Sequence, residues 1–388
     1  TPLAPPDIFM DLQVEAVKNA KDKKRNWYLS LLIELQKKLI EVLGSEKAVG
    51  WKLPVLIIRF VVKIQSHLEI EVDPKVLETI FKHSQTNHPD MIHLAIKSFL
   101  GIFNKIFSLS DYDYDVSRAY NSAYDPEFIT EVDTSQDGFS EKFKQEMNNF
   151  DSPSYFLDSR MFVGWLCWGR SMKVVKTNPI EVNLRQNEIE AFQRFGNVVN
   201  YEWLQNIVDN LIQDNETHGV FSSGNVSFFV LLIFLISHNF TKLKLEDLFS
   251  LCESRYDRND KASMIMSTEI FAALICGSKF MYSENSQLKD AFVARFLPSC
   301  IDFELNQDAF GIWATLCWWL PTVVDLRRCK PFYQHFSSIQ NLLDKKSDDP
   351  AHQASKLLML RSILLSMEYS SPDLSTVCLL YTSPSPRD

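Results

Sequence analysis

Apolar positions recur at helical spacing along most of the chain. Between Trp27 and Leu43 they fall at 28, 31, 32, 35, 39, 42 and 43, with Glu34, Lys37, Lys38 and Glu41 between them and Gly44 just beyond. That spacing predicts one amphipathic helix with a glycine stop. The run from Val55 to Ile64 is β-branched enough to pass for a strand in isolation. Pro54 suits a first helical turn, however, and the flanking segments are helical, so a helix is expected. Asp73-Pro74 offers an N-cap followed by proline, and His88-Pro89-Asp90 opens a further helix expected to reach about Ser108.

Farther along, apolar helices are expected to start near Asn225, Asp260, Leu305 and Pro350, with a shorter helix between successive starts at about 244–252, 285–297 and 331–343. Two helices every roughly 35–45 residues is the period of HEAT and armadillo arrays. The predicted fold is all-α: a HEAT/armadillo-like α-solenoid of antiparallel helix pairs with one long acidic insertion. Phe228 to Ile236 is an unbroken apolar run, well short of the ~20 residues that span a bilayer. A helix apolar on every side belongs inside a stack, covered by both neighbours.

These patterns divide the chain into helical repeats at 1–110, an acidic loop with a short helix at 111–150, an aromatic and glycine-rich crossing segment at 151–185, and HEAT-like repeats at 186–377. The net charge is −9, and Asp111 to Asp137 holds eight acids against Arg118 alone, so the rest of the chain carries only −2. Nucleic-acid binding needs a clustered basic footprint, which this distribution lacks. The acidic stretch reads either as a solvated loop or as a docking surface for a basic partner. Seven scattered cysteines without a C-x-x-C pair suit buried reduced thiols. Asn215, Asn225 and Asn239 begin glycosylation sequons, a motif that is weak without a secreted context.

Catalytic signatures are missing: there is no nucleophile elbow, no zincin helix, no phosphate loop and no dinucleotide fingerprint. Gly277-Ser278-Lys279 lacks the earlier glycine of a phosphate loop and reads as a helix stop with Gly277 at C′. His83, His88 and His93, with Asp90 nearby, straddle a helix boundary that separates would-be metal ligands, so no metal site is expected. Cys300 and Cys317 read as core thiols. Two stretches are richer than a helical core requires. One is Phe162-Val163-Gly164-Trp165-Leu166-Cys167-Trp168, followed by Lys173 and Lys176. It reads as chain packed against the helices or as an aromatic ligand cage. The other is the Trp313 to Pro321 helix leading to Arg327 and Arg328, a basic pair suited to an anion or to a helix dipole.

The segment Thr268-Glu269-Ile270-Phe271-Ala272-Ala273-Leu274-Ile275-Cys276-Gly277-Ser278-Lys279-Phe280 resembles one family, the very large single-chain HEAT-repeat activators of the 20S proteasome. Glu269, Ile270, Leu274, Ile275, Gly277, Ser278 and Lys279 carry the likeness, and Trp313 with Cys317 and then Asp325, Arg327 and Arg328 follow in matching order. Phe162, Gly164, Trp165 and Trp168 resemble an aromatic-glycine stretch in the family's middle region.

The resemblance implies an internal section of a non-enzymatic dome. That dome caps the 20S core particle, opens its gate with a hydrophobic-Tyr-x tail, and promotes ATP- and ubiquitin-independent degradation of peptides and proteins, acetylated histones among them. It implies no required cofactor, inositol phosphates bound in basic openings, DNA repair, and residence in nucleus and cytoplasm, with neither direct nucleic-acid nor membrane contact. Lys173, Lys176, Arg327 and Arg328 are the candidate lining residues. The gate-opening tail has no matching position in this chain. Rival readings are a HEAT-repeat transport receptor or adaptor, and a hydrolase with convergent His, Asp and nucleophile. Residues 378–388 back-translate without a gap into an adapter used in transposase-based sequencing libraries, so native sequence is expected to stop at Val377.

Overall fold

Helices make up nearly all of the computed structural model, which describes residues 26–43, 52–67, 74–85, 89–103, 129–133, 155–156, 171–176, 184, 186–301, 307–320, 323–324 and 335. The chain divides into two compact units, residues 1–105 with 184–198, and residues 106–183 with 199–388.

The first unit contains α1 (26–43), α2 (Lys52–His67), α3 (Pro74–Ser84), α4 (Pro89–Phe103) and α5 (Gln186–Val198). The β-branched run is helical: Val55, Ile57, Ile58, Val61 and Ile64 are all buried, a three-and-four spacing that only a helix places on one face. α4 lies close on α2, since a Cβ at Gly101 would stand 2.9 Å from Val62 Cγ1. Phe99 meets Phe195 at 4.3 Å between ring centroids, and Phe103 stacks on Phe192 at 4.4 Å, so α5 closes this core.

In the second unit, the described residues of the acidic insertion and the crossing segment are strands, where a loop, a short helix and an irregular crossing were expected. They are β1 (Ile129–Asp133), β2 (Tyr155–Phe156) and β3 (Ser171–Lys176), in the order β1-β3-β2 with both pairings antiparallel. Ile129, Thr130 and Val132 in one strand and Val174 and Val175 in its partner supply the β-branched residues that favour pleated pairing. This small sheet is the departure from the all-helical expectation among the described residues.

The remaining elements are α6 (Tyr201–His218), α7 (Ser223–Ser237), α8 (Leu245–Arg255), α9 (Lys261–Gly277) with a 3-10 turn (Ser278–Phe280), α10 (Ser283–Cys300) and α11 (Gln307–Trp319). Their starts follow local chemistry. Ser222 caps α7 by accepting from the Asn225 N–H, and the Asp260 carboxylate takes the Ala262 and Ser263 N–H groups at 3.2 and 3.1 Å. α10 passes through Pro298, whose ring removes the N–H that would bond four residues back, and the helix ends two residues later. Of the expected helix at 331–343 only His335 is described; the helix from Pro350, the end of α4 toward Ser108, and residues 378–388 lie outside the described residues.

Side-chain pairings fix the helix directions. Asn225 meets Glu269 and Ile233 meets Gly277, so contacts advance by eight residues along both α7 and α9, which run parallel. Cys252 pairs with Ser267 and Arg255 with Ser263, so α8 and α9 run antiparallel. Phe249 stacks on Phe292 at 4.3 Å, Glu253 pairs with Arg295 at 2.7 Å and Tyr256 meets Phe296 at 5.7 Å, so α8 and α10 run parallel. α7, α9 and α11 thus form one layer, with α8 and α10 in a second, the arrangement that stacked two-helix units produce.

α9 is the centre of this core: α6, α7, α8 and α11 all pack on it, and every residue from Ala262 to Gly277 is buried. Lys261–Phe280 is long and apolar enough to cross a bilayer, with a mean hydropathy of 1.2, but 83% of that window is buried within the fold. That is the setting of a core helix.

Candidate functional site

One carboxylate interrupts the apolar surface of α9. Glu269 is fully buried, and an ion so placed is tolerated only with strong compensation. Its Oε1 accepts the Ser222 backbone N–H at 2.6 Å and its Oε2 accepts Asn225 Nδ2 at 2.8 Å. Both donors belong to the start of α7, where unpaired N–H groups leave a partial positive charge. Burial pushes the Glu269 carboxyl up to about 8, against the downward pull of the Asn225 and Ser222 donors. The same contact disposes of one sequon, because Asn225 is buried with its amide engaged.

Eight residues on, Gly277 sets the second contact. A Cβ there would lie 2.9 Å from Ile233 Cγ2, 3.0 Å from its Cδ1 and 3.2 Å from its Cβ. Gly277 has φ −78° and ψ −9°, an ordinary right-handed conformation as the last residue of α9. The expected C′ role is therefore corrected: the glycine is required by the close approach of α7. Ser278 follows with its hydroxyl donating to the Ile275 carbonyl at 2.7 Å, and Lys279 Nζ stands 5.3 Å over the Phe280 ring. This is the electronegative end of a helix, the wrong end for cradling a phosphate.

Trp313 completes the cluster from α11. It is fully buried, edge-on to Phe271 at 5.8 Å, and its indole Nε1 has no hydrogen-bond acceptor among the described residues. Nearby, the Tyr256 hydroxyl donates to the Cys300 carbonyl at 3.2 Å. Burial holds that phenol far above its usual range, with Cys300 adding to the rise and Arg258 opposing it. Burial also pushes the Cys300 thiol up to about 12 and the Cys252 thiol well above its ordinary value. Cys252, Cys276, Cys300 and Cys317 are all buried free thiols, and the upward shifts make Cys252 and Cys300 poor nucleophiles at neutral pH.

Glu269, Ile270, Leu274, Ile275, Gly277, Ser278, Lys279 and Trp313 are thus gathered on α9, its terminal turn and the adjoining α11. What they do physically is fix how closely successive helices approach and in what register. Of the partners, Asn225 is read from sequence only as a helix start and a sequon, and Ser222 and Ile233 carry no site expectation, although Ser222 offers an N-cap signal; the contact with Glu269 joins residues 44 and 47 positions apart.

Of the basic candidates, the described residues include Lys173 and Lys176. Both are on β3. Lys173 also sits opposite Glu131 in the β1 register. Arg327, Arg328, Phe162, Gly164, Trp165 and Trp168 lie outside the described residues. His83 is on α3 and His93 on α4, His88 lies outside the described residues, and among the described residues no three His, Cys, Asp or Glu converge as metal ligands.

Taken together, the layered helices and a central cluster devoted to spacing define an α-helical scaffold. No family model matches the chain. Over 372 residues, 96% of its length, the chain is 54% identical to the protein named Proteasome activator BLM10 of Saccharomyces cerevisiae. The relationship to a proteasome activator that the Thr268–Phe280 segment implies therefore extends along nearly the whole chain. The chain spans 17% of the length of that relative.

Proposed function

We propose that this chain forms a section of the wall of a proteasome activator, a non-catalytic scaffold whose stacked helices set the curvature with which the parent protein caps the 20S core particle. The observation that carries the reading is 54% identity sustained over 96% of the chain. Identity at that level preserves a packed core position by position, and Glu269, Gly277 and Trp313 are what such a core would keep. In the same reading, the parent promotes ATP- and ubiquitin-independent degradation of peptides and proteins, acetylated histones among them, in nucleus and cytoplasm. Inositol phosphates would bind in basic openings of the assembled dome, with Lys173, Lys176, Arg327 and Arg328 as the candidate lining residues.

A chimera tests this. Residues 1–377 replace the matching segment of the yeast activator, and the product is assayed for co-sedimentation with 20S particles and for stimulated hydrolysis of a fluorogenic peptide. The chimera is expected to retain both. A chimera that folds, judged by circular dichroism and a cooperative melt, yet fails to bind the core particle would refute the assignment.

A further inference from the structure

Glu269 does more than satisfy a cap. Its two oxygens are split between the Ser222 N–H and the Asn225 side chain, so a single carboxyl bridges the centre of α9 and the first turn of α7. The bridge is shut off from solvent, with Glu269 fully buried and Asn225 nearly so. We propose that Glu269 is a proton-operated latch between α7 and α9, taking up one proton from solvent when the first turn of α7 closes onto α9 and releasing it when that turn opens.

The surroundings make one group responsible. α7 carries no Asp, Glu, Lys, Arg, His, Cys or Tyr from Ser223 to Ser237, and the groups acting on the carboxyl are the neutral Ser222 and Asn225. On the other helices packed against α9, Asp209 of α6 is bonded to Arg255, Glu253 of α8 to Arg295, and the Cys252 thiol to the Ser267 carbonyl. Cys317 of α11 is a buried thiol. Asn225 serves the anion: it donates through Nδ2 at 2.8 Å and pulls the carboxyl downward against burial.

The sign follows from burial, which raises the closed-state pKa to about 8 above the ordinary value of about 4.3 in the open state. Closure is therefore fully favoured below about pH 4 and weakens as pH rises through 8. One proton released per opening raises the opening constant about tenfold per pH unit across that window, levelling off above it.

Hydrogen exchange read by mass spectrometry on the intact chain, corrected for intrinsic exchange, tests the latch in the peptide covering 222–237. Between pH 6 and pH 8 the opening constant is expected to rise by roughly fiftyfold, the last part of the rise being damped because the closed form itself begins to ionise, and Glu269→Gln is expected to abolish the slope. Infrared difference spectra of the wild-type chain between pH 6 and pH 9 should show the loss of one protonated carboxyl band. Should Glu269→Gln not fold, Asn225→Ala serves in its place: deleting a donor to the anion should move the titration midpoint upward. A flat opening constant, no carboxyl band at pH 6, or an unmoved midpoint in Asn225→Ala would each overturn the proposal.

Discussion

Gly277 shows how one residue type can satisfy two different demands. Its φ of −78° would suit any amino acid, so backbone freedom does not explain it. The three Ile233 atoms within 3.2 Å of a would-be Cβ do. Gly277→Ala is therefore expected to destabilise the fold by about 1–3 kcal/mol through overpacking, despite alanine's better helix propensity. Adding Ile233→Val should restore part of the loss, a non-additivity that a double-mutant cycle in urea measures directly. Equal losses in the single and double variants would mean that the clash is relieved elsewhere.

Between elements, two kinds of contact hold neighbouring helices, and they differ in worth. The Ser267 hydroxyl donates to the Cys252 carbonyl at 3.1 Å while the Cys252 thiol donates to the Ser267 carbonyl at 3.4 Å, both buried between α8 and α9. Arg255 grips Asp209 at 2.7 and 3.0 Å between α8 and α6, but the pair is part-exposed. Ser267→Ala is expected to cost about 1–3 kcal/mol, because it strips a partner from a buried group. Arg255→Ala should cost only about 0.2–1 kcal/mol, and less again in high salt. Urea denaturation of both variants at low and high ionic strength checks the contrast, and a larger loss at Arg255 would reverse it.

The same contacts explain what the sequence could and could not disclose. The starts of α7, α9 and α11 were legible to within two residues because apolar runs and caps such as Asp260 are local. α6 was not predicted, because the repeat period did not place it, although Trp203, Leu204, Ile207, Val208 and Leu211 stand at helical spacing and Asn200 accepts the Trp203 N–H. The strands were not, because Ile129–Asp133 is flanked by turn formers and its partner β3 begins some forty residues later. A short segment of that kind is stabilised by pairing that no local pattern encodes. Glu269 stood out as a motif residue, but its ligands lie 44 and 47 positions away, so its role as a bridge needed the fold.

At the scale of the whole molecule, the two ends of the apolar pattern behave differently. Around α9 it is consumed entirely, whereas in the first unit α1 exposes Trp27, Tyr28, Leu31, Leu35 and Val42, and α2 exposes Leu53, Leu56 and Phe60. Leu53, Leu56 and Phe60 fall on one stripe of α2, and Trp27, Leu31 and Leu35 on one stripe of α1. The apolar face read from sequence is thus wider than the face the unit buries: Leu35 and Phe60 remain 42% and 57% exposed. Complete burial of such a side chain is worth about 1.5–3 kcal/mol, of which roughly half remains to be gained at these part-exposed positions, and contiguous patches of this kind drive association. The isolated chain is accordingly expected to self-associate with rising concentration, and more strongly in sulfate, which reinforces apolar burial while screening ion pairs. Leu56→Glu combined with Phe60→Glu should leave the far-UV circular dichroism unchanged, since neither side chain is in the core, and should shift the chain toward monomer in size-exclusion chromatography with light scattering. A wild-type chain that stays monomeric at high concentration in sulfate would show that these stripes are not adhesive, and association that persists in the double variant would place the contact on another surface.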